Sequence, residues 1–294
     1  MDKKKLLVSF SGGETSGFMA QWLLNHKQDE YDMIFVYANT GQENEETLEF
    51  VDQCDKAFNL GVVWVEAVVH HGQRKGTTHK IVDFETANRN GDVFEEVIKK
   101  YMIPNKQNMI CTRELKERPI TSYARSIGWK KSHYQTAIGI RTDEIDRVSE
   151  NKEKNRLIYP LVSMQPMTKP MVNFFWNAQD FRLNLKGYEG NCMVCWKKSF
   201  RKLATIAQDN PEKFEFFDRM EHKYGYYVSE GRKNSKTLII PLHFFRSDKD
   251  VNYIFETVLT DIKFKRADDD ATTYDEYDLD TSNGCSESCE VFSG

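Results

Sequence analysis

Two sets of residues have the types and spacing for chemistry. Cys111 opens CTRELKERPI, and Cys192 and Cys195 make a C-x-x-C in GNCMVCW, 81 residues after Cys111. A thiolate is a nucleophile and a soft metal ligand, so a C-x-x-C alone fits zinc, a redox dithiol or cluster ligation. Arg113, Lys116, Lys197 and Lys198 lie beside these thiols in sequence and favour their ionised form. The second set is VSFSGGETSGFMAQWL, residues 8–23, where two glycines and several hydroxyls separate an apolar run from an amphipathic one. A strand, a bare turn and a helix together make an anion cradle. Glycines let the backbone approach a phosphate, and the helix start aims N–H groups and partial positive charge at it. Gly12, Gly13 and Glu14 form the turn, and Ser9, Ser11, Thr15 and Ser16 supply hydroxyls. The Lys of GxxxxGK[ST] and the GxGxxG spacing are both absent.

The elements that must position these groups alternate. KLLVSF, MIFVYAN, GVVWVEAVVH and YQTAIGIR (residues 134–141) read as strands. Between them, GFMAQWLL and NEETLEFVDQCDKAF carry apolar residues at helical spacing, the latter with Leu48, Val51 and Cys54 or Phe58 on one face. TRELKERPITSYARSI is helix-prone. This alternation predicts an α/β fold with right-handed crossovers and a mostly parallel, doubly wound sheet. Arg141 ends a strand where ligands sit in open α/β sheets, so Arg141 reads as an anion clamp and Lys116 as a second anion contact. The alternative for Arg141, Asp143, Glu144 and Arg147 is a surface ion-pair strip. HHGQRKGTTHK (residues 70–80) reads as a solvated loop that closes over a bound ligand rather than as a metal site. The second half predicts a helix capped near Thr168, then two helices with Asn210 as N-cap and Pro211 in the first turn of the second. Trp176 and its aromatic neighbours in NFFW, with Phe214, Phe216 and Phe217, read as core. The expected division is 1–165 for an α/β core holding the glycine turn, 166–266 for a helical region carrying the C-x-x-C, and 267–294 for an acidic, flexible tail.

Composition narrows the partners. At 39% hydrophobic and 29% charged residues the chain resembles an ordinary soluble protein. No apolar run reaches the roughly 20 residues of a membrane helix, and MDKKKLLVSF reads as a first strand rather than a leader. A cytoplasmic setting without membrane partners is expected. Six cysteines in that setting suggest metal or redox chemistry over structural disulfides. The net charge is −4, but nine acidic side chains and no Lys or Arg lie from Ala267 onward, so the remainder carries +5. Such a body suits anionic small molecules or nucleic acid. The tail reads as a solvated end or as a flap competing for the anion site.

SFSGGETS resembles the SGGxxS pyrophosphate loop of the adenine nucleotide alpha-hydrolase superfamily, which holds the PP-loop ATP pyrophosphatases and the phosphoadenosine phosphosulfate (PAPS) reductases. YANTGQENEETLEFV is similar to the second-strand segment of the reductase branch, and IGIRTDEIDR to its G[LI]RxDE segment. The resemblance implies a Rossmann-like, HUP-type sheet with a helical C-terminal region. It implies that ATP or PAPS binds at Ser9, Ser11, Gly12, Gly13, Glu14, Thr15, Ser16, Asn39, Thr40, Gly41, Gly139 and Arg141, and that Lys116 and Arg141 are catalytic. Thr15 stands where many ATP-cleaving members carry an Asp that binds magnesium; Mg²⁺ is a further expected ligand. Cys111, Lys116, Pro119 and Ile120 fall on the C-C-x-x-x-K-x-x-P-L pattern of the cluster-binding reductases, with Thr112 in place of the second cysteine. This implies a 4Fe–4S cluster on Cys111, Cys192 and Cys195, with an open iron or with Cys285 or Cys289 as a fourth ligand. Zinc is the alternative metal. The E-C-G-[LI]-H tail motif is absent, and Cys285 and Cys289 sit among carboxylates that oppose ionisation. The expected activity is sulfonucleotide reduction or ATP-dependent sulfur transfer to a nucleic-acid or protein acceptor. The alternative is an inactive nucleotide-binding module docked to such a complex. A homo-oligomer is compatible with either.

Overall fold

Along β1 (Lys4–Phe10) alternate side chains enter opposite apolar layers, and that alternation decides how the first half folds. Leu6, Val8 and Phe10 join one layer and Leu7 the other, all essentially without exposure. Burying each contributes roughly 1.5–3 kcal/mol. This computed structural model describes residues 2–72, 74–106, 108–233, 238, 240–245, 249–260 and 265–267. After β1 come α1 (Glu14–Lys27), β2 (Tyr31–Asn39), α2 (Glu45–Phe58), β3 (Val63–Val69), β4 (Thr77–Val82) and α3 (Asp92–Tyr101). A π-helical stretch, Thr112–Glu117, runs into α4 (Arg118–Ser126). β5 (Tyr134–Ala137), α5 (Lys152–Asn155), β6 (Leu157–Ile158), α6 (Pro160–Ser163) and α7 (Lys169–Asn177) follow, then α8 (Phe200–Asp209), α9 (Glu215–Tyr224) and α10 (Val251–Thr260).

The sheet order is β4-β3-β2-β1-β5-β6, parallel except for β4. The chain leaves β1 toward β2 on one side and later returns to place β5 on the other. A crevice therefore opens beyond the carboxyl ends of β1 and β5, the switch point where ligands bind in such sheets. The expected α/β, Rossmann-like sheet is present. The helices α1, α2 and α7 cover one face, with Leu48, Val51, Cys54 and Trp176 in that layer. Ile120 and Ala124 of α4 cover the other. A third cluster joins α3 to α8, α9 and α10 through Phe94, Leu203, Phe217 and Ile254.

Local expectations are corrected in four places. Residues 70–80 are not all loop, because Thr77–Val82 pairs antiparallel with β3, Glu66 opposite Lys80 and Val69 opposite Thr77. The backbone ladder on this edge outweighs the polar side chains. The strand expected over residues 134–141 ends at Ala137: Ile138 N–H still bonds to Ile158 O at 3.0 Å, but Ile140 N–H turns back to Ile138 O. Asn210 is the N-cap and Pro211 stands in the first turn as expected, but that turn, Pro211–Phe214, is 3₁₀, and α9 starts only at Glu215. Phe174 is 78% exposed, whereas Trp176, Phe214, Phe216 and Phe217 are buried. No helix among the described residues is long and apolar enough to cross a membrane.

Candidate functional site

The glycine turn lies at the head of the crevice. Gly12 has φ +84°, and a Cβ there would come within 2.7 Å of Thr47 Cγ2 on α2. The turn is thus pressed against α2 and requires a residue without a side chain. Ser16 Oγ, in the first turn of α1, accepts from Ser11 N–H (3.2 Å) and Ser11 Oγ (3.0 Å) and donates to Gly13 O (2.9 Å). Ser16 is therefore a brace for the loop. Ser9 is buried at the end of β1. Glu14 takes a two-pronged contact from Arg182, Nε and Nη2 at 3.0 and 3.1 Å, which offsets a carboxylate beside an anion cradle. Its carbonyl accepts from Trp176 Nε1 at 2.9 Å, tying α7 to the start of α1.

Arg141 reaches the same place from across the switch point. It is buried, and its Nη1 donates to Thr15 Oγ1 at 2.8 Å while Nε meets Asp143 Oδ1 at 3.0 Å. Burial alone would raise the Asp143 carboxyl, but the Lys169 N–H and the Arg141 guanidinium outweigh it and hold the group below its usual range. Glu144 adds a longer contact to Arg141 Nη2 at 3.6 Å and also pairs with Arg147. Gly139 lies against Ser16; a Cβ there would be 3.1 Å from Ser16 Cα. Arg141, Asp143, Glu144 and Arg147 thus form one ion-paired arrangement, with Arg141 turned inward toward Thr15.

Asn39, Thr40 and Gly41 end β2 on the other side of the loop. Gly41 has φ +79°, and a Cβ there would strike Asn88 Oδ1 at 2.4 Å. Asn39 Nδ2 donates to Glu66 Oε1 at 2.6 Å and to Asn88 O at 2.8 Å. Glu43, absent from the sequence-based candidates, closes this turn. Its carboxylate accepts from Thr40 N–H and Thr40 Oγ1, both at 2.9 Å, and is buried. Lys116 Nζ approaches Glu43 Oε1 at 3.9 Å, and Cys192 Sγ lies 3.9 Å from the same oxygen. Lys116 arrives from the π-helical stretch, a distortion that often marks functional positions. Tyr37, on β2, is buried in the apolar layer behind the glycine turn, its Cε2 3.1 Å from where a Gly12 Cβ would stand. Burial, with Glu43 and Cys192 nearby, pushes its hydroxyl well above the usual tyrosine range.

The three candidate thiols come from two segments, Cys111 from one and Cys192 and Cys195 from the other. Residues 190–193 form a strap against the segment after β2: Asn44 N–H donates to Asn191 O and Met193 N–H to Gln42 O, both at 2.9 Å. Asn44 Nδ2 donates to Gly190 O at 2.7 Å. Asn191, also missed from sequence, extends its own Nδ2 to Ser11 O at 2.7 Å and is buried. Cys192 is therefore carried into the crevice beside the glycine loop. Cys111 accepts from Trp196 Nε1 at 3.5 Å, so it neighbours the residue that follows Cys195. The expected cationic neighbours are engaged, Arg113 with Glu114 and Lys198 with Tyr188 O. Among the described residues no three His, Cys, Asp or Glu side chains are gathered into a metal-binding group. Cys285, Cys289 and the acidic tail from residue 268 lie outside the described residues. Cys54 is buried in the core, which pushes its thiol up and removes it from this chemistry. His70, His71 and His79 take separate partners, Thr78, Glu96 and Ser122. An open groove of about 980 Å³ borders the strap at Gln42, Asn44 and Met193 and extends to Lys186, Lys213 and Arg219.

A doubly wound sheet with a glycine turn and a helix start at its switch point defines an open α/β protein whose ligand crevice lies at that turn. Comparison with known proteins makes this specific. Residues 5–144 match the phosphoadenosine phosphosulfate reductase domain. The chain is 30% identical over 292 residues to an uncharacterized nin region protein, ORF290, of Escherichia phage lambda, covering 98% of this chain and 95% of that protein. It is 20% identical over 239 residues to an uncharacterized protein of Methanocaldococcus jannaschii, covering 76% of this chain and 42% of that protein. The chain belongs to the PAPS reductase family.

Proposed function

We propose that this protein is an enzyme that binds an adenine nucleotide in the crevice and performs sulfonucleotide reduction or ATP-dependent sulfur transfer. The observation that supports it best is the Asn191–Ser11 hydrogen bond at 2.7 Å, which brings the strap bearing Cys192 to the glycine loop. A nucleotide's phosphates would rest on the backbone amides at Gly12 and Gly13 and the α1 N-terminus. Arg141 and Lys116 would hold the distal anion, and Asn39, Thr40 and Gly41 would border the adenosine. In the transfer version a substrate oxygen attacks the α-phosphorus and pyrophosphate leaves, its charge stabilised by the loop amides and Arg141. In the reductive version a thiolate attacks the sulfonyl sulfur, the sulfur–oxygen bond to the nucleotide phosphate breaks, and an external dithiol reductant added to the assay attacks the resulting S-sulfonate, releasing sulfite as the dithiol is oxidised to a disulfide. The acceptor, a nucleic acid or a protein, would approach along the groove at Met193.

Three thiols are the donor type for an iron–sulfur group, and the Trp196–Cys111 contact supports a common neighbourhood for them, while among the described residues they are not gathered into a metal-binding group. Cys111, Cys192 and Cys195 would hold it, and when bound it would supply electrons or sulfide. Zinc on the same thiols is the alternative. Titration calorimetry with ATP and with PAPS under anaerobic conditions, followed by assays for pyrophosphate and sulfite, tests the reading. Binding of one nucleotide with its product supports it, and no binding of either refutes it. Iron, labile sulfide and zinc content of the purified protein, compared with Cys192→Ser, decides the metal. Nucleotide binding without either product would favour the inactive module.

A further inference from the structure

The strap carrying Cys192 is held from two directions, and each holds to a different part of the nucleotide crevice. On one side Asn191 Nδ2 donates to the carbonyl of Ser11, the residue that opens the glycine turn, at 2.7 Å. On the other, Cys192 faces Glu43, whose carboxylate is bonded to Thr40 N–H and Oγ1. The strap backbone completes the bridge through Asn44 N–H to Asn191 O and Met193 N–H to Gln42 O. Thr47 Oγ1, on the helix that presses against Gly12, also points to Asn191 O at 3.4 Å. Asn191 is 4% exposed and its amide lies 3.5 Å from the place a Gly13 Cβ would occupy. The Asn191 side chain therefore touches the glycine loop while its backbone, held by Asn44 N–H, leads directly into Cys192.

We propose that Asn191 is a positioning residue that couples nucleotide occupancy of the glycine loop to the placement of Cys192. The proposal rests on the reading that the loop takes a nucleotide. Phosphates gripped by the Gly12 and Gly13 amides fix the Ser11 peptide, which fixes the acceptor for Asn191 and spends in advance part of the ordering cost of the strap. The coupling is reciprocal, so a docked strap tightens nucleotide binding by the same factor that nucleotide tightens the strap. The loop and the thiol then act as one unit, and Cys192 is set in place when a nucleotide is present to react.

Hydrogen–deuterium exchange of the intact protein tests this without reference to metal content or turnover. Peptides covering residues 11–17, 41–48 and 188–196 are followed with and without saturating ATP, and separately with PAPS, after calorimetric affinities have been measured. In the wild type the bound nucleotide slows exchange in all three peptides, by about fivefold at Asn44 and Met193. In Asn191→Asp, where a carboxylate would face the Ser11 carbonyl, slowing persists in residues 11–17 but falls below twofold in 188–196, and the nucleotide Kd rises by about the same fivefold. Asn191→Ser, neutral and shorter, gives the same pattern if the aspartate variant does not fold. If a nucleotide binds and the strap exchanges at the same rate, or if the variants retain full slowing, the coupling is wrong while the nucleotide reading stands. If neither nucleotide binds the wild type, both fall together.

Discussion

Gly12→Ala tests how tightly the nucleotide loop is locked to the helix behind it. The substitution forces a side chain onto a residue with φ +84°, a region that costs an L-residue about 1–2 kcal/mol. The new Cβ also meets Thr47 Cγ2 at 2.7 Å, with Tyr37 Cε2 at 3.1 Å and Val51 Cγ2 at 3.3 Å behind it. Thr47 is fully buried, so it cannot turn away, and overpacking of this kind costs about 1–3 kcal/mol. The expected loss is about 2–5 kcal/mol, a fall in Tm of roughly 3–8 °C for a chain of this size. Thr47→Ser removes the opposing methyl while keeping the hydroxyl. Combined with Gly12→Ala it relieves the clash but not the backbone cost, giving a coupling energy of about 1–2 kcal/mol in a double-mutant cycle. Urea unfolding of the four proteins measures the cycle, and ATP calorimetry of Gly12→Ala is expected to show at least a tenfold weaker Kd, on the order of 1.4 kcal/mol. Wild-type stability in Gly12→Ala, or a coupling energy of zero, would refute the claim that the turn is pressed against α2.

Arg141→Gln removes the charge that reaches Thr15 at 2.8 Å, and nucleotide affinity is expected to fall 10- to 100-fold by calorimetry, as for loss of a charge-assisted contact of about 1.5–3 kcal/mol. Ser16→Ala leaves the Ser11 N–H and the Gly13 carbonyl without their brace, and a stability loss of about 1–3 kcal/mol with weaker ATP binding is expected in melting and titration experiments. Glu221, on α9, accepts from Phe244 N–H at 2.7 Å and Val251 N–H at 3.0 Å, yet burial pushes its carboxyl up from 4.5 to about 7. A raised folded-state value means the folded chain holds this proton more firmly, so the contribution is complete below pH 4.5 and is lost as pH rises through about 7. Urea stability of the wild type is therefore expected to lose roughly 3 kcal/mol from this group between those limits, and Glu221→Gln to lack that slope.

The parts of the fold that could be read from the chain are those where a local pattern serves a local purpose. The apolar runs of β1, β2 and β3, the face of Leu48, Val51 and Cys54, and the glycine turn each announce themselves within a few residues. β4 does not, because TTHKIV is polar and β4 lies at the edge of the sheet, where pairing with β3 supplies its order. Phe174 looked like core beside Trp176, but the short α7 buries one side and leaves Phe174 on the other. In the site, Arg141, Lys116 and Cys192 were visible by type and spacing. Glu43 and Asn191 were not, because an acid in TGQENEE and an amide in GNC acquire meaning only when the strap docks. Both carry short-range signals, a carboxylate three residues after Thr40 and an Asn directly before a C-x-x-C, that are too common to single them out.

The 180 positions between Ser11 and Asn191 set a timetable for the nascent chain. At synthesis rates of about 5–20 residues per second, the ribosome has made β1 and its glycine turn roughly 10–40 s before the residue that braces them from across the crevice emerges. The sheet can assemble during that interval, but its mouth lacks the wall that the strap provides. Completion of the pocket thus comes after the sheet, and a chain that stopped short of residue 191 would hold all six strands around an entrance with one side missing.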